Sequence, residues 1–247
     1  MESNKDLQLA VLIDADNIPS RYIKTLLEEI AKYGIPSFKR IYGDWTRPQL
    51  AHWKNVLLEF AITPIQQYSY TTGKNSTDSA MIIDAMDILY TRRVDGFCLV
   101  TSDSDFTRLA TRLREAGMKV FGMGEKKTPS AFRVACDKFI YLEILEQEEP
   151  PKKGKSRAVS SKKVKEDTAA TSLLHLVQAS INDLADESGW VYLSDLGNLL
   201  IKKQPDFDPR NYGFKKLLLL IKSLSQVEIE ERENRQRNAK EIYVRWK

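Results

Sequence analysis

Two apolar runs in this chain end in paired carboxylates. Leu9-Ala10-Val11-Leu12-Ile13 leads into Asp14-Ala15-Asp16-Asn17, and Leu99-Val100-Thr101-Ser102 leads into Asp103-Ser104-Asp105-Phe106. An apolar, β-branched run that gives way to hydroxyls and acids, then to an amphipathic segment, is the pattern of a strand opening into a helix. The C-terminal ends of strands are where α/β sheets keep their sites. Ser102 or Asp103 could simply cap the helix by accepting an otherwise unpaired backbone N–H. Capping explains one acid and does not require two. Asp14, Asp103 and Asp105 are therefore candidate ligands, and Asp78, in the first turn of a later helix, is the fourth. Asp84 and Asp87 lie on the same helix but point roughly 240° and 180° away from Asp78 at 100° per residue, so they read as solvated acids of a helix face. Asp78 has an alternative role in offsetting the helix dipole, a contribution of about 0.3–1 kcal/mol.

Carboxylates gathered at one point repel one another and raise each other's pKa unless a cation sits among them. Oxygen ligands without cysteine or paired histidine select a hard ion, Mg²⁺ or Mn²⁺. Neither His52 nor His175 has a partner at ligand spacing. A hard ion held by few acids keeps positions open for phosphate oxygens and water, which suits attack of water on a phosphodiester without an amino-acid nucleophile. Asn17 could orient Asp14, bond a phosphate or cap the next helix. Lys74 and Arg108 flank the expected site and could contact a nucleic-acid backbone, although both also read as ordinary surface cations.

The elements that must position these residues alternate regularly. Leu9–Ile13, Pro36–Ile41, Ile62–Tyr68, Phe97–Thr101 and Met118–Gly122 read as five strands. Between them, Ile23, Leu26, Leu27 and Ile30, and again Phe106, Leu109, Ala110 and Leu113, follow the i, i+3, i+4, i+7 spacing of a helix face. A further helix begins near Pro48, and another follows Thr72-Gly73-Lys74-Asn75 with Ser76 or Thr77 as its cap. Gly117 closes the helix that starts at Phe106. Such alternation predicts an α/β fold: a mostly parallel sheet with helices on both faces.

With 247 residues and 42% hydrophobic content, the chain has room for one large domain or two smaller ones. Its net charge of +4 sits almost wholly between residues 150 and 168, which carry 7 basic and 2 acidic side chains. That segment, rich in Pro, Lys and Ser, is too apolar-poor to order itself, and residues 144–169 read as a basic flexible linker between domains at 7–143 and 170–247. Beyond it, Leu173, Leu176, Val177, Ile181 and Leu184 mark a helix, Ser194 caps a second, and Phe214, Leu217, Leu218 and Ile221 mark a third. Val227 and Ile229, with Ile242, Val244 and Trp246, alternate as two arms of a hairpin whose loop region holds Arg232, Arg235, Arg237 and Lys240, a winged-helix pattern. The 2 cysteines, Cys98 and Cys136, lie in apolar surroundings without metal spacing and read as buried, reduced thiols. With no signal peptide or membrane-length apolar run in the sequence, the expected location is cytoplasmic.

Taken together, the acidic motifs resemble the NYN domain, a branch of the PIN-like nuclease fold. The matching segments are Ile13-Asp14-Ala15-Asp16-Asn17, Lys74-Asn75-Ser76-Thr77-Asp78 and Val100-Thr101-Ser102-Asp103-Ser104-Asp105-Phe106. The resemblance implies a sheet of strand order 3-2-1-4-5, metal-binding acids at Asp14, Asp78, Asp103 and Asp105, and Mg²⁺- or Mn²⁺-dependent RNA cleavage leaving a 5′-phosphate and a 3′-hydroxyl. The second half resembles an OST-HTH/LOTUS domain through Gly189-Trp190-Val191-Tyr192-Leu193-Ser194 and Pro205-Asp206-Phe207-Asp208-Pro209-Arg210-Asn211-Tyr212-Gly213-Phe214. That likeness implies an RNA-binding or protein-docking module, while Trp190, Phe207 and Tyr212 could equally be core residues.

The first expectation is thus a metal-dependent ribonuclease acting on RNA, in single-stranded form, with the C-terminal domain holding RNA or a protein partner. The competing one is an RNA-binding or scaffolding protein whose acid pocket no longer turns over. Asp14-Ala15-Asp16 also invites a haloacid dehalogenase type of phosphatase, but Ile18 stands where that superfamily has Thr or Val.

Overall fold

The first strand, β1 (Gln8–Asp14), is buried along all but its first residue, so neither of its faces meets water. A strand of this kind needs a neighbour on each side and a layer on each face. The computed structural model, which describes residues 6–68, 76–146, 163–234 and 239–247, supplies both. β1 pairs in parallel with β2 (Ile35–Gly43) on one side and β4 (Gly96–Val100) on the other. β3 (Thr63–Gln66), β5 (Lys119–Gly124) and β6 (Lys138–Tyr141) complete a six-stranded parallel sheet of order β3-β2-β1-β4-β5-β6. The expected order 3-2-1-4-5 stands. The sixth strand is an addition, four residues too short to announce itself by periodicity.

Strand alternation sorts the core into two halves. Leu9, Val11 and Ile13 point to one face with Cys98, Val100, Phe121 and Met123, under α1 (Ile23–Ile30), α2 (Trp53–Glu59) and α6 (Leu142–Glu146). Ala10 and Leu12 point to the other with Phe97, Leu99 and Val120, under α3 (Ser76–Thr91), α4 (Thr107–Glu115) and α5 (Ser130–Ala135). Asp14 continues the second series on β1, and Thr101 continues it just past β4. Both therefore face the α3 and α4 side.

Asp84 departs from the expectation of a solvated acid. Arg40 and Tyr42, two residues apart on β2 and so on one face, both bond its carboxylate. This ties α3 to the sheet and pushes the Tyr42 hydroxyl upward through burial and the neighbouring carboxylate. Asp87 is exposed, as read. Both cysteines are buried and unpaired, and burial pushes the Cys136 thiol up to about 12, so neither is a reactive thiolate.

Residues Met1–Glu149 form one compact unit and Pro150–Lys247 another. The segment read as a linker holds regular structure at both ends, since α6 runs to Glu146 and α7 (Lys163–Leu184) begins at Lys163. The second unit continues with β7 (Val191–Tyr192), α8 (Leu193–Lys203), α9 (Leu217–Lys222), β8 (Val227–Asn234) and β9 (Ala239–Trp246). The three strands form an antiparallel sheet of order β7-β9-β8. Three details differ from the sequence reading. Ser194 does not cap α8, because the helix already starts at Leu193 after an extended Tyr192 with no side-chain cap. Phe214 lies before α9, whose N-terminal flank at Lys216 is extended. Arg232 and Lys240 belong to the strands themselves, while Arg235 and Arg237 lie outside the described residues. Phe207 and Tyr212 pack in the core of this unit, whereas Trp190 lies half-buried beneath the guanidinium groups of Arg232 and Arg245. No helix among the described residues is long and apolar enough to cross a membrane.

Gly124 ends β5 where the sheet meets the acidic edge. A Cβ there would meet the backbone carbonyl of Thr101, and Thr128 Oγ1 at 2.6 Å. Gly124→Ala should cost about 1–3 kcal/mol through overpacking, read by chemical denaturation. An unchanged midpoint would show that this edge yields easily.

Candidate functional site

Parallel registry fixes where the acids meet. Ile13 pairs with Val100 across β1 and β4, so the two residues that follow, Asp14 and Thr101, emerge side by side. Thr101 Oγ1 donates to Asp14 Oδ2 at 2.9 Å and accepts the backbone N–H of Asp103 at 3.1 Å. Asn17 Nδ2 donates to the same Asp14 oxygen at 2.6 Å, and the Asp16 N–H reaches Asp14 Oδ1 at 3.1 Å. Asp14 is 1% exposed. Burial raises its pKa, opposed by the bonds from Asn17, Thr101 and the Asp16 backbone. One buried carboxylate thus fixes the turn after β1 and, through Thr101, the turn after β4.

The second turn presents the outer acids. Asp103 accepts the Asp105 N–H at 2.9 Å and so caps the 3-10 turn Ser104–Phe106 that leads into α4. The capping role is observed, and it leaves room for the ligand role, since a capping carboxylate retains acceptor capacity on its other oxygen. Asp78 comes from the first turn of α3. One carboxylate oxygen from each of Asp78, Asp103 and Asp105 lies within 4.8 Å of the others, the one such group of three or more potential ligands among the described residues. Burial first, then the charges of Asp14, Asp103, Asp105 and Asp16, push the Asp78 carboxyl up to about 6.

The four expected acids therefore divide. Asp78, Asp103 and Asp105 converge, and Asp14 stands behind them, its oxygens engaged by Asn17, Thr101 and a backbone N–H. Three oxygen donors of like charge, one of them with a pKa raised by burial and by its acidic neighbours, fit a hard divalent cation. Asn17 orients Asp14, one of the roles open to it from sequence. Arg108 is exposed in the first turn of α4, directly after the acidic turn. Lys74 lies outside the described residues.

Three further contributors escaped the sequence reading. Thr101 joins the two turns. Asp16, half-exposed, accepts from Thr77 Oγ1 at 3.3 Å. Arg47, from the loop after β2, lies 3.9 Å from Asp16 and 3.5 Å from Asp44. A polar residue on a loop after the C-terminal end of a central parallel strand is the signal that could have found Arg47. Beside these residues a cleft of about 920 Å³ opens between the loops after β1, β2 and β5.

Comparison with known proteins agrees with the motifs. Residues 8–143 match the NYN domain model and residues 163–239 match the OST-HTH/LOTUS domain model. Among solved structures, a Vibrio parahaemolyticus protein of unknown function is 19% identical, with a TM-score of 0.47, covering 56% of this chain and 94% of its own. An uncharacterised Nitrosomonas europaea protein is 32% identical over 41% of this chain and 90% of its own, with a TM-score of 0.29. A Chromobacterium violaceum protein fragment is also 32% identical, over 30% of this chain and 78% of its own, with a TM-score of 0.26. A search of curated proteins finds no match.

Two outcomes follow from this geometry. Thr101→Val removes a hydroxyl that serves both Asp14 and the Asp103 backbone, and should lower stability by about 1–3 kcal/mol because buried polar groups lose partners. Urea denaturation checks it, and a loss below the experimental error would mean that the bridge between the turns is not needed. Asp78 titrates the other way from a salt-bridged acid. Its raised pKa means that the cation-free protein loses stability as pH rises from about 4 through about 6 and the carboxyl is forced to ionise. After solvent screening of this half-buried group the effect is about 1 kcal/mol, so Asp78→Asn should raise the melting temperature of the EDTA-treated protein by about 2–4 °C at pH 7.5 and leave it nearly unchanged at pH 4. Equal shifts at both pH values would separate Asp78 from the charge cluster.

Proposed function

The chain belongs to the NYN family, and from that premise we propose that it is a metal-dependent ribonuclease whose centre is Asp78, Asp103 and Asp105, supported by Asp14. NYN domains are typically nucleases that depend on a divalent metal. The observation that carries the proposal for this chain is the convergence of three carboxylates from the ends of two different elements, α3 and the turn after β4, at one point. A structural acid usually finds a cation or an N–H donor, and Asp84 does so with Arg40. Asp103 also takes an N–H, that of Asp105, yet one oxygen from each of Asp78, Asp103 and Asp105 still lies close to the other two, and in this proposal those oxygens make a seat for Mg²⁺ or Mn²⁺.

In this reading the cation, when bound, lowers the pKa of water and offsets the charge that develops on the phosphodiester. The protein's own residues do the positioning. Asp103 and Asp105 are held in fixed relation by the capping bond between them, and Asp78 approaches from α3. Asp14 anchors the Thr101 hydroxyl, and with it the turn that carries both outer acids. Asn17 keeps the Asp14 carboxylate oriented, and contact with a phosphate is its second role in this proposal. Arg108 stands exposed beside the acidic turn, and Lys74 precedes α3 in sequence, so both remain candidates for the strand backbone. The OST-HTH/LOTUS domain suggests RNA as the substrate class, single-stranded RNA being the form that reaches such a centre most simply, and it would hold either the RNA or a protein partner. A cytoplasmic setting is part of this proposal.

The second reading, an RNA-binding protein without turnover, is separated by direct assay. Purified wild-type protein should cleave labelled single-stranded RNA in Mn²⁺, and Asp103→Asn should lower the rate by at least about a hundredfold if removal of one anionic ligand costs a typical share of the metal's contribution. Equal cleavage by the two proteins would assign the activity to a contaminant. Absence of cleavage by wild type, with RNA binding intact, would favour the binding protein.

A further inference from the structure

Resting on the nuclease reading, we propose that the cleft lined by Asn17, Arg47, Gln49, His52, Trp53 and Lys127 is a nucleobase subsite, taking the base of an RNA nucleotide next to the one cut. The cleft shares Asp16 and Asn17 with the acidic edge, so a strand whose phosphate sits at the acids has a neighbouring nucleotide within reach of it. Its charges favour a base over a second phosphate. Arg47 lies against Asp44 and Asp16, and Lys127 pairs with Glu125 at 2.7 Å, so the lining is close to electrically balanced. An anion would have to compete with those carboxylates, whereas a neutral, planar, hydrogen-bonding ring would not.

The neutral polar groups suit such a ring. His52 Nδ1 lies 2.7 Å from the Gln49 carbonyl oxygen, which can only accept, so Nδ1 carries the proton. In the neutral ring this leaves Nε2 as an acceptor on an exposed side chain, ready for an N–H of a base edge. The exposed Gln49 side chain supplies both a donor and an acceptor. Trp53, also in the lining, is fully buried, and its indole Nε1 has no hydrogen-bond partner among the described residues. Ile18, Pro19 and Leu50 provide the apolar surface a base needs beneath it. The cleft has room for more than one ring, so it holds a base without demanding a particular one.

The test uses the full chain in EDTA, so that no cleavage intervenes, with a short single-stranded RNA carrying thiouridine. After irradiation, cross-linked peptides are mapped by mass spectrometry. Cross-links are expected in the segment that contains Gln49, His52 and Trp53. A Gln49→Ala, His52→Ala double variant should lose most of them and bind the RNA roughly tenfold more weakly, the size expected from two ordinary hydrogen bonds. Both positions are exposed, and an unchanged melting temperature of the double variant verifies its fold. Cross-links confined to other segments, or equal affinity of the double variant, overturn the subsite. Cleavage in Mn²⁺ is scored separately: cleavage retained without cross-links here sinks the subsite alone, and cross-links here without any cleavage sink the nuclease reading alone.

Discussion

Mutual repulsion among aspartates at one edge of a parallel sheet is the constraint on which this structure turns. Carboxylates left to themselves move apart or take up protons, and Asp78, whose pKa is pushed up to about 6 by burial first and then by its acidic neighbours, is drawn toward the latter. Keeping three of them within a few ångströms requires a scaffold that does not relax. The scaffold here is a buried sheet whose central strands have no solvent face, together with one further carboxylate, Asp14, taken out of water and given donors from Asn17, Thr101 and the backbone. The outer acids can be crowded because the inner one is tied down.

That division of labour is chemically economical. A buried, fully hydrogen-bonded carboxylate is a poor candidate for exchange with solvent but a good fixed point. The half-exposed acids in front of it are poor fixed points and good ligands. Thr101 joins the two kinds, since its single hydroxyl donates to one acid and accepts from the backbone of another. Elsewhere in the same domain an acid meets the opposite fate. Asp84, about one and two-thirds turns along the helix from Asp78, is paired with Arg40 and takes a hydrogen bond from Tyr42, and there its charge fastens a helix to the sheet. Residue type alone does not separate these roles; the company each acid keeps does.

Much of this was legible before any coordinates. The first five strands, the helices on both faces and the second, helical unit with its terminal hairpin follow from apolar periodicity and turn residues, whereas the order of the strands in the sheet came from the resemblance to the NYN domain. The acids at the ends of β1 and β4 were marked by the abrupt change from apolar to charged. What escaped was short or three-dimensional. β6 and β7 have too few residues to show a period. Ser194 carries the right side chain for a cap, but the helix begins one residue earlier because β7 runs directly into it. Arg47 sits in a loop, where no periodicity marks a residue as functional.

The sequence by itself determined which residues could be ligands and on which elements they ride, because hydrophobic spacing and the chemistry of carboxylates are local properties. Only the tertiary structure decided which acids meet. The pairing of Ile13 with Val100 sets Asp14 beside Thr101, and the placing of α3 over that face brings Asp78 to Asp103 and Asp105. Registry between strands far apart in the chain is settled by packing the whole sheet at once, so no single stretch of residues contains it.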